Sequence, residues 1–214
     1  MQIKPIHRRS LPLDTAALAR YLIGKYVVRE LATGRMSGRI VETEAYPVGD
    51  STGYAYPGLT KHNAPLFAER GHAYIRLVYG TAWTLNVSSE ARGIGAAVLV
   101  RALEPVEGIE LMLRRRRGAK LTDIARGPGR LAAAMRIDRR LDGIDLTAGR
   151  ELWLGAARGR TARVATTRRI GLSREQHRPL RFYERGSDFV SGPRKALRSG
   201  RVRQRPKLYR TSRP

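Results

Sequence analysis

Two glutamates two positions apart, Glu42 and Glu44 in "GRIVETEAYPV", are the first residues that could do chemistry, in a chain of 214 where 42 Lys and Arg outnumber 18 Asp and Glu. Side chains at i and i+2 of a strand share a face, so Ile40, Glu42, Glu44 and Tyr46 are expected on one side and Val41, Thr43 and Ala45 on the other. The carboxylates then lie about 6–7 Å apart and repel unless they are solvated, partnered or used. Glu44, beside an aromatic residue and just ahead of a long loop, is placed to hold a water and take its proton as a general base. The same spacing also describes a solvated strand face paired with arginines.

The net charge of +24 decides the class of partner. Residues 193–214 hold nine Lys or Arg and no acid, which leaves +15 on the rest of the chain. Excess charge of this size favours nucleic acid, with an anionic membrane second because no basic amphipathic helix stands out. Against that background two more stretches acquire possible roles. Tyr79, in "VYGTA", sits at the tip of an expected hairpin, where an aromatic can wedge between bases or fold back onto the sheet edge. "GPGRL", Gly127–Leu131, offers free N–H groups and Arg130 to a phosphate, or is an ordinary loop-to-helix junction. The chain has no cysteine, and its four histidines lack ligand-like spacing, so neither a disulfide nor a metal site is expected. It has no apolar run long enough to cross a membrane and no secretory leader pattern in "MQIKPIHRRSLPLD", so a soluble cytoplasmic protein is expected, or a nuclear one in a eukaryote.

The elements that must position these residues follow from patterning. Asp14 caps a short helix, "TAALARYLIG", stopped by Gly24. "KYVVREL" and "RMSGRIVETEAY" form a hairpin whose second arm carries the glutamates. The stretch from Pro47 to about Pro65 is too long for a connector and, with Tyr54 and Tyr56, reads as a functional loop. "HAYIRLVY" and "AWTLNVSS" form a second hairpin across Gly80 and Thr81. "AAVLVRAL" reads as a central strand. "EPVEGIELMLRRRR" reads as a helix with Pro105 in its first turn, ending in a basic run, Arg114, Arg115, Arg116 and Arg117, that can face phosphates. A helix from Pro128 and late strands in "VATTRRIGL" and "PLRFYERG" follow. The fold class is α+β: one domain over 1–192 with a mostly antiparallel mixed sheet, a protruding hairpin and peripheral helices, then a basic flexible tail over 193–214.

Five stretches in this order, "GRIVETEAY", "YGTAWTLNVSS", "VLVRALEPVEGIE", "GPGRLAAAM" and "RPLRFYERGS", resemble the alkyladenine (3-methyladenine) DNA glycosylase family from about Leu11 to Gly192. The resemblance implies a monomeric, cofactor-free and metal-free enzyme. It would flip an alkylated or deaminated purine, such as 3-methyladenine, 7-methylguanine or hypoxanthine, from duplex DNA and hydrolyse its N-glycosidic bond. Carried over by position, it makes Glu44 the general base, Arg101 and the Ile170 carbonyl parts of the water site, Tyr46 a stacking partner of the flipped base and Asn86 the residue that helps to exclude guanine. It makes Tyr79 the side chain pushed into the duplex, and no lysine aligns with a nucleophile, so the glycosylase is monofunctional. Two base-facing positions depart from the family: Tyr54 stands where histidine is usual, and Arg76 where an aromatic is usual. A guanidinium at Arg76 can stack on a base yet repels one that carries positive charge, which favours neutral lesions; alternatively Arg76 turns to Glu42 or to a phosphate. The competing readings are a noncatalytic nucleic-acid-binding protein on the same scaffold and a ribosome-associated RNA-binding protein.

Overall fold

The computed structural model describes residues 2–159 and 161–192, so the tail expected from residue 193 lies outside the described residues. Nine strands form one sheet: β1 (Lys4–Pro5), β2 (Tyr26–Leu31), β3 (Gly34–Tyr46), β4 (Ala73–Val78), β5 (Ala82–Ser88), β6 (Ala97–Glu107), β7 (Leu152–Ala156), β8 (Val164–Thr167) and β9 (Arg181–Glu184). Their order is β1-β7-β2-β3-β6-β5-β4, with β9 joined to β3 and β8 to β9, and every pairing is antiparallel. Three helices, α1 (Thr15–Leu22), α2 (Ile109–Arg115) and α3 (Pro128–Ala134), contribute Leu18, Leu22, Met112 and Leu131 to a main core shared with Val27, Ile40, Ile75 and Val100 of the sheet. Alternate strand residues lie in smaller clusters off that core, Tyr26 and Val28 in one and Tyr74 in another.

Local signals explain most of these elements. The Asp14 carboxylate accepts from the Ala17 N–H and starts α1. The turn between β4 and β5 runs one residue earlier than the pattern suggests. Tyr79 and Gly80, not Gly80 and Thr81, are its central pair, with φ of 52° and 66°, and the Thr81 N–H donates to the Val78 carbonyl. Positive φ at both central residues makes this a type I′ turn, the form that matches strand twist.

Three expectations change. β6 continues through Pro105 to Glu107, so "EPVE" is strand and α2 begins only at Ile109. Pro105 is tolerated because it lies opposite Gly38 at a register irregularity. β1 and β7 were not evident in the pattern; "LWLGA" is short and joins the sheet edge to β2. Finally, β3 does not alternate regularly. Its pairing with β6 leaves Val41 and Arg101 without opposite numbers. Such a bulge shifts the face parity of the strand. Ile40 therefore shares the main core with Ala45, and the Thr43 hydroxyl donates to the Ala19 carbonyl of α1, while Val41 joins a separate cluster. The glutamates are thereby separated from Ile40.

Gly108, between β6 and α2, has φ of 67°, and a Cβ there would lie 2.4 Å from the Arg35 carbonyl oxygen. A side chain in this conformation costs about 1–2 kcal/mol before any clash. Gly108→Ala is expected to lower unfolding stability by at least about 2 kcal/mol in urea titration; a loss below about 0.5 kcal/mol would contradict the placement of this junction.

Candidate active site

Arg101 stands between the two carboxylates. Its Nε donates to Glu42 Oε1 at 2.9 Å and its Nη1 to Glu44 Oε2 at 3.1 Å. Both glutamate side chains are fully buried, so neither lies on a solvated strand face. Glu42 Oε1 also accepts from Arg181 Nε at 2.7 Å and from the Ser191 hydroxyl at 2.9 Å, and Oε2 accepts from the Ser191 N–H at 2.7 Å. Arg76 is not its partner: the residue lies on β4 and turns to Tyr54 instead.

Glu44 is held by fewer and weaker charges. Its Oε1 accepts from the Ile170 N–H at 2.8 Å, and its Oε2 accepts the Tyr46 hydroxyl at 3.0 Å besides Arg101. The contact from Ile170 to Glu44 is thus through the amide, a group no side-chain pattern reveals. The two carboxyls consequently move in opposite directions. Burial raises the pKa of each, but around Glu42 two arginines and the Ser191 amide outweigh burial and hold it below the usual range. At Glu44 burial wins over Arg101, the Ile170 amide and the Tyr46 hydroxyl, and its pKa is raised. Opposed shifts in a pair of neighbouring acids are the arrangement that separates a permanent anion from a proton acceptor. The Tyr46 phenol is itself pushed upward, first by burial and then by Glu44.

Arg101, Tyr46 and Ile170 line an open cavity of about 480 Å³, and Glu44 lies directly behind them. Tyr54, Arg76, Asn86 and Tyr79 line the same cavity, so the structure brings together every residue expected in the water site, base pocket and wedge. Asn86 donates to the Tyr74 carbonyl at 3.1 Å, which fixes its amide from β5. Tyr54 is 44% exposed on the loop after β3; Asn63 orders that loop by donating to the carbonyls of Tyr54 and Gly58, both at 2.9 Å. Tyr79 projects from the hairpin tip and is 92% exposed, so it does not fold back onto the sheet.

The expected backbone contacts divide. Arg114 and Arg117 are exposed. Arg115 donates to the Leu111 carbonyl and to Met36 Sδ, and Arg116 to the Ile124 carbonyl. Arg116 and Arg130 nevertheless line a second depression with Thr81 and Trp83 near the tip of the hairpin, which shares Pro128 with the first. Gly129 is required there by packing, since a Cβ would meet that of Ala82 at 2.9 Å.

Arg181, Ser191 and Arg169 are absent from the sequence reading. An arginine between Leu180 and Phe182 in a strand, facing the same way as neither, was the available signal for Arg181. Arg169 donates to the Ala45 carbonyl at 3.0 Å, pairs with Asp50 at 2.7 Å and lies over the Tyr46 ring at 4.6 Å.

The methylpurine-DNA glycosylase family model matches residues 10–188, most of the chain. The chain belongs to that family. Among its relatives, a protein of Mesorhizobium japonicum assigned as a 3-methyladenine DNA glycosylase is 60% identical over 190 residues, covering 89% of this chain and 91% of its own. One of Paraburkholderia phytofirmans with the same assignment is 55% identical over 197 residues, 92% of each chain. A third, from Methanocella arvoryzae, is 43% identical over 185 residues, 83% of this chain and 90% of its own. This methylpurine-DNA glycosylase family member is a DNA N-glycosylase, a hydrolase of DNA repair acting on a DNA substrate. No helix among its described residues is long and apolar enough to cross a membrane, and no metal-binding cluster of His, Cys, Asp or Glu occurs among them.

The opposed pKa shifts predict opposed effects on stability. A lowered folded pKa gives Glu42 a stabilising contribution that is complete above the ordinary value of 4.5 and is lost as pH falls through the lowered one. A raised folded pKa makes ionisation of Glu44 unfavourable, so its contribution is present below 4.5 and is lost as pH rises through the raised value. At neutral pH, Glu42→Gln is expected to lower unfolding stability by about 3 kcal/mol, because Arg181 and Arg101 lose a buried counter-ion, and the deficit shrinks in acid. Glu44→Gln is expected to leave stability unchanged or higher at neutral pH. Urea unfolding of both variants at several pH values checks the pair; a large loss in Glu44→Gln would overturn the asymmetry.

Proposed function

We propose that this glycosylase flips a damaged purine from duplex DNA into the cavity beneath the hairpin and hydrolyses its N-glycosidic bond with a water activated by Glu44. The observation that carries this reading is the setting of Glu44: a fully buried carboxyl with raised pKa whose three hydrogen-bond donors all line one cavity. The glycosidic electron pair leaves with the purine as positive charge gathers on the sugar carbon. Ionised Glu44 stabilises that charge, orients water toward it and takes the water's proton as the new carbon–oxygen bond forms. Arg101 and the Ile170 amide hold the carboxylate in place while it does so.

The remaining residues position the substrate. Tyr46 offers a ring face to the extruded base, and Asn86 bounds the purine edge. Tyr79 fills the gap left in the stack. No lysine lines the cavity among the described residues, which supports hydrolysis without a covalent imine and hence a monofunctional enzyme. Arg114, Arg117 and Arg130 are exposed cations suited to DNA phosphates, and binding weakens with added salt accordingly. The chain acts as a monomer, in the cytoplasm of a prokaryote or the nucleus of a eukaryote.

Two measurements test this reading. Glu44→Gln should keep its affinity for an abasic-site mimic while single-turnover base release falls by about 10²-fold or more. The native rate should rise with pH along a limb lying above the ordinary glutamate value of 4.5; undiminished turnover in the variant removes Glu44 from the role. Tyr79→Ala should weaken binding to a lesion duplex by roughly tenfold, the worth of one stacked aromatic, with a smaller effect on undamaged duplex. Equal losses on both duplexes would count against the wedge.

A further inference from the structure

Two tyrosines of the cavity wall each carry an arginine on one face. The Arg76 guanidinium carbon lies 5.1 Å from the centroid of Tyr54, and that of Arg169 lies 4.6 Å from the centroid of Tyr46. Arg76 lines the cavity itself and is solvent-exposed. Among the described residues no carboxylate forms an ion pair with it. Arg169 lies behind Tyr46 with its side chain fully buried, and its Nε and Nη2 have no hydrogen-bond partner among the described residues. Aromatic faces attract cations because the ring quadrupole is negative there. At both tyrosines part of that attraction is already taken up by the protein's own cation.

We infer that Arg76 sets the charge preference of the base pocket, favouring neutral purines with an acceptor on the ring edge over purines that carry a formal positive charge. The inference rests on the base-excision reading of this cavity. In the free protein water screens Arg76. A flipped base and the duplex above it displace that water, so repulsion toward a cationic base grows as the effective dielectric constant falls. Toward a neutral base the same guanidinium is attractive, because its plane stacks and its five N–H groups donate to ring oxygens and nitrogens. Hypoxanthine is such a base, with acceptors at O6 and N7, whereas 7-methylguanine in DNA is cationic. Arg169, behind Tyr46, is paired with Asp50 at 2.7 Å, so its charge is offset and the preference rests on Arg76.

Absolute rates do not report this preference, because a cationic base leaves more easily whatever the pocket does. The change in a ratio on substitution does report it, since intrinsic lability cancels. Single-turnover release of hypoxanthine and of 7-methylguanine is therefore measured from otherwise identical duplexes with the native chain, Arg76→Gln and Arg76→Lys. Arg76→Gln is expected to raise the 7-methylguanine to hypoxanthine ratio roughly tenfold, the effect of a unit charge about 10 Å away at an effective dielectric constant of about 20. Arg76→Lys keeps the charge and is expected to hold the native ratio within about threefold. A ratio that Arg76→Gln does not move, while both bases are released, overturns the charge role and leaves the glycosylase reading intact. An equal rise in both variants also overturns it, assigning the effect to shape. Release of neither base by the native chain overturns the base-excision reading of the cavity, and this inference with it.

Discussion

The bridge that Arg101 makes between Glu42 and Glu44 is the interaction around which the site is organised. Two fully buried carboxylates on one strand are untenable without countercharge, because desolvation penalises each and their mutual repulsion is poorly screened. One arginine cannot neutralise both. Arg181 supplies the second positive charge, and of the two carboxylates it pairs with Glu42. The site thus contains one satisfied anion and one under-compensated acid. That inequality, more than the presence of two acids, gives Glu44 a proton affinity suited to taking a proton from water. It also accounts for Glu42, whose role is to hold Arg101 and Arg181 in register behind the cavity.

The sheet supplies the geometry this arrangement needs. β3 runs through the middle of the fold, pairing with β2, then with β6 and β9. The irregularity at Val41 and Arg101 lets one segment serve the main core with Ile40 and the acid cluster with Glu42. Around Glu42–Glu44 β3 is paired on both sides, to β6 and to β9. The exposed Tyr79 and Tyr54, by contrast, extend outward on a type I′ hairpin and a loop ordered by Asn63. Tyr79 has a backbone conformation that L residues adopt at some cost, and the costs of such positions concentrate where function needs a fixed direction.

What could be read from the sequence was what depends on nearby residues. The Asp14 cap, the two hairpins, the proline start of α3 and the long loop after Tyr46 all rest on interactions within a few positions. The strand through Pro105 was misread because its tolerance depends on Gly38, far away in sequence and opposite in the sheet. The resemblance located Glu44, Arg101, Tyr46, Asn86 and Tyr79, and the fold gathers them round one cavity. It was silent on Glu42, Arg181, Ser191 and Arg169. Their importance lies in pairings across 100 residues or more, such as Glu42 with Arg181 at a separation of 139, and no local pattern encodes those.

The contact between Glu42 and Ser191 spans 149 positions and carries a consequence for the order in which the protein can become competent. Closing so long a loop costs entropy that only the finished sheet repays. During synthesis Glu42 emerges early, and its ion-pair partner Arg181 and hydrogen-bond donor Ser191 emerge among the last of the described residues. Until they arrive, the strand that carries both acids cannot be buried without leaving Glu42 short of countercharge. Burial of Glu44, which raises its proton affinity, is therefore tied to the arrival of residues near 190. The acid cluster can therefore close only once almost all of the described chain has been made.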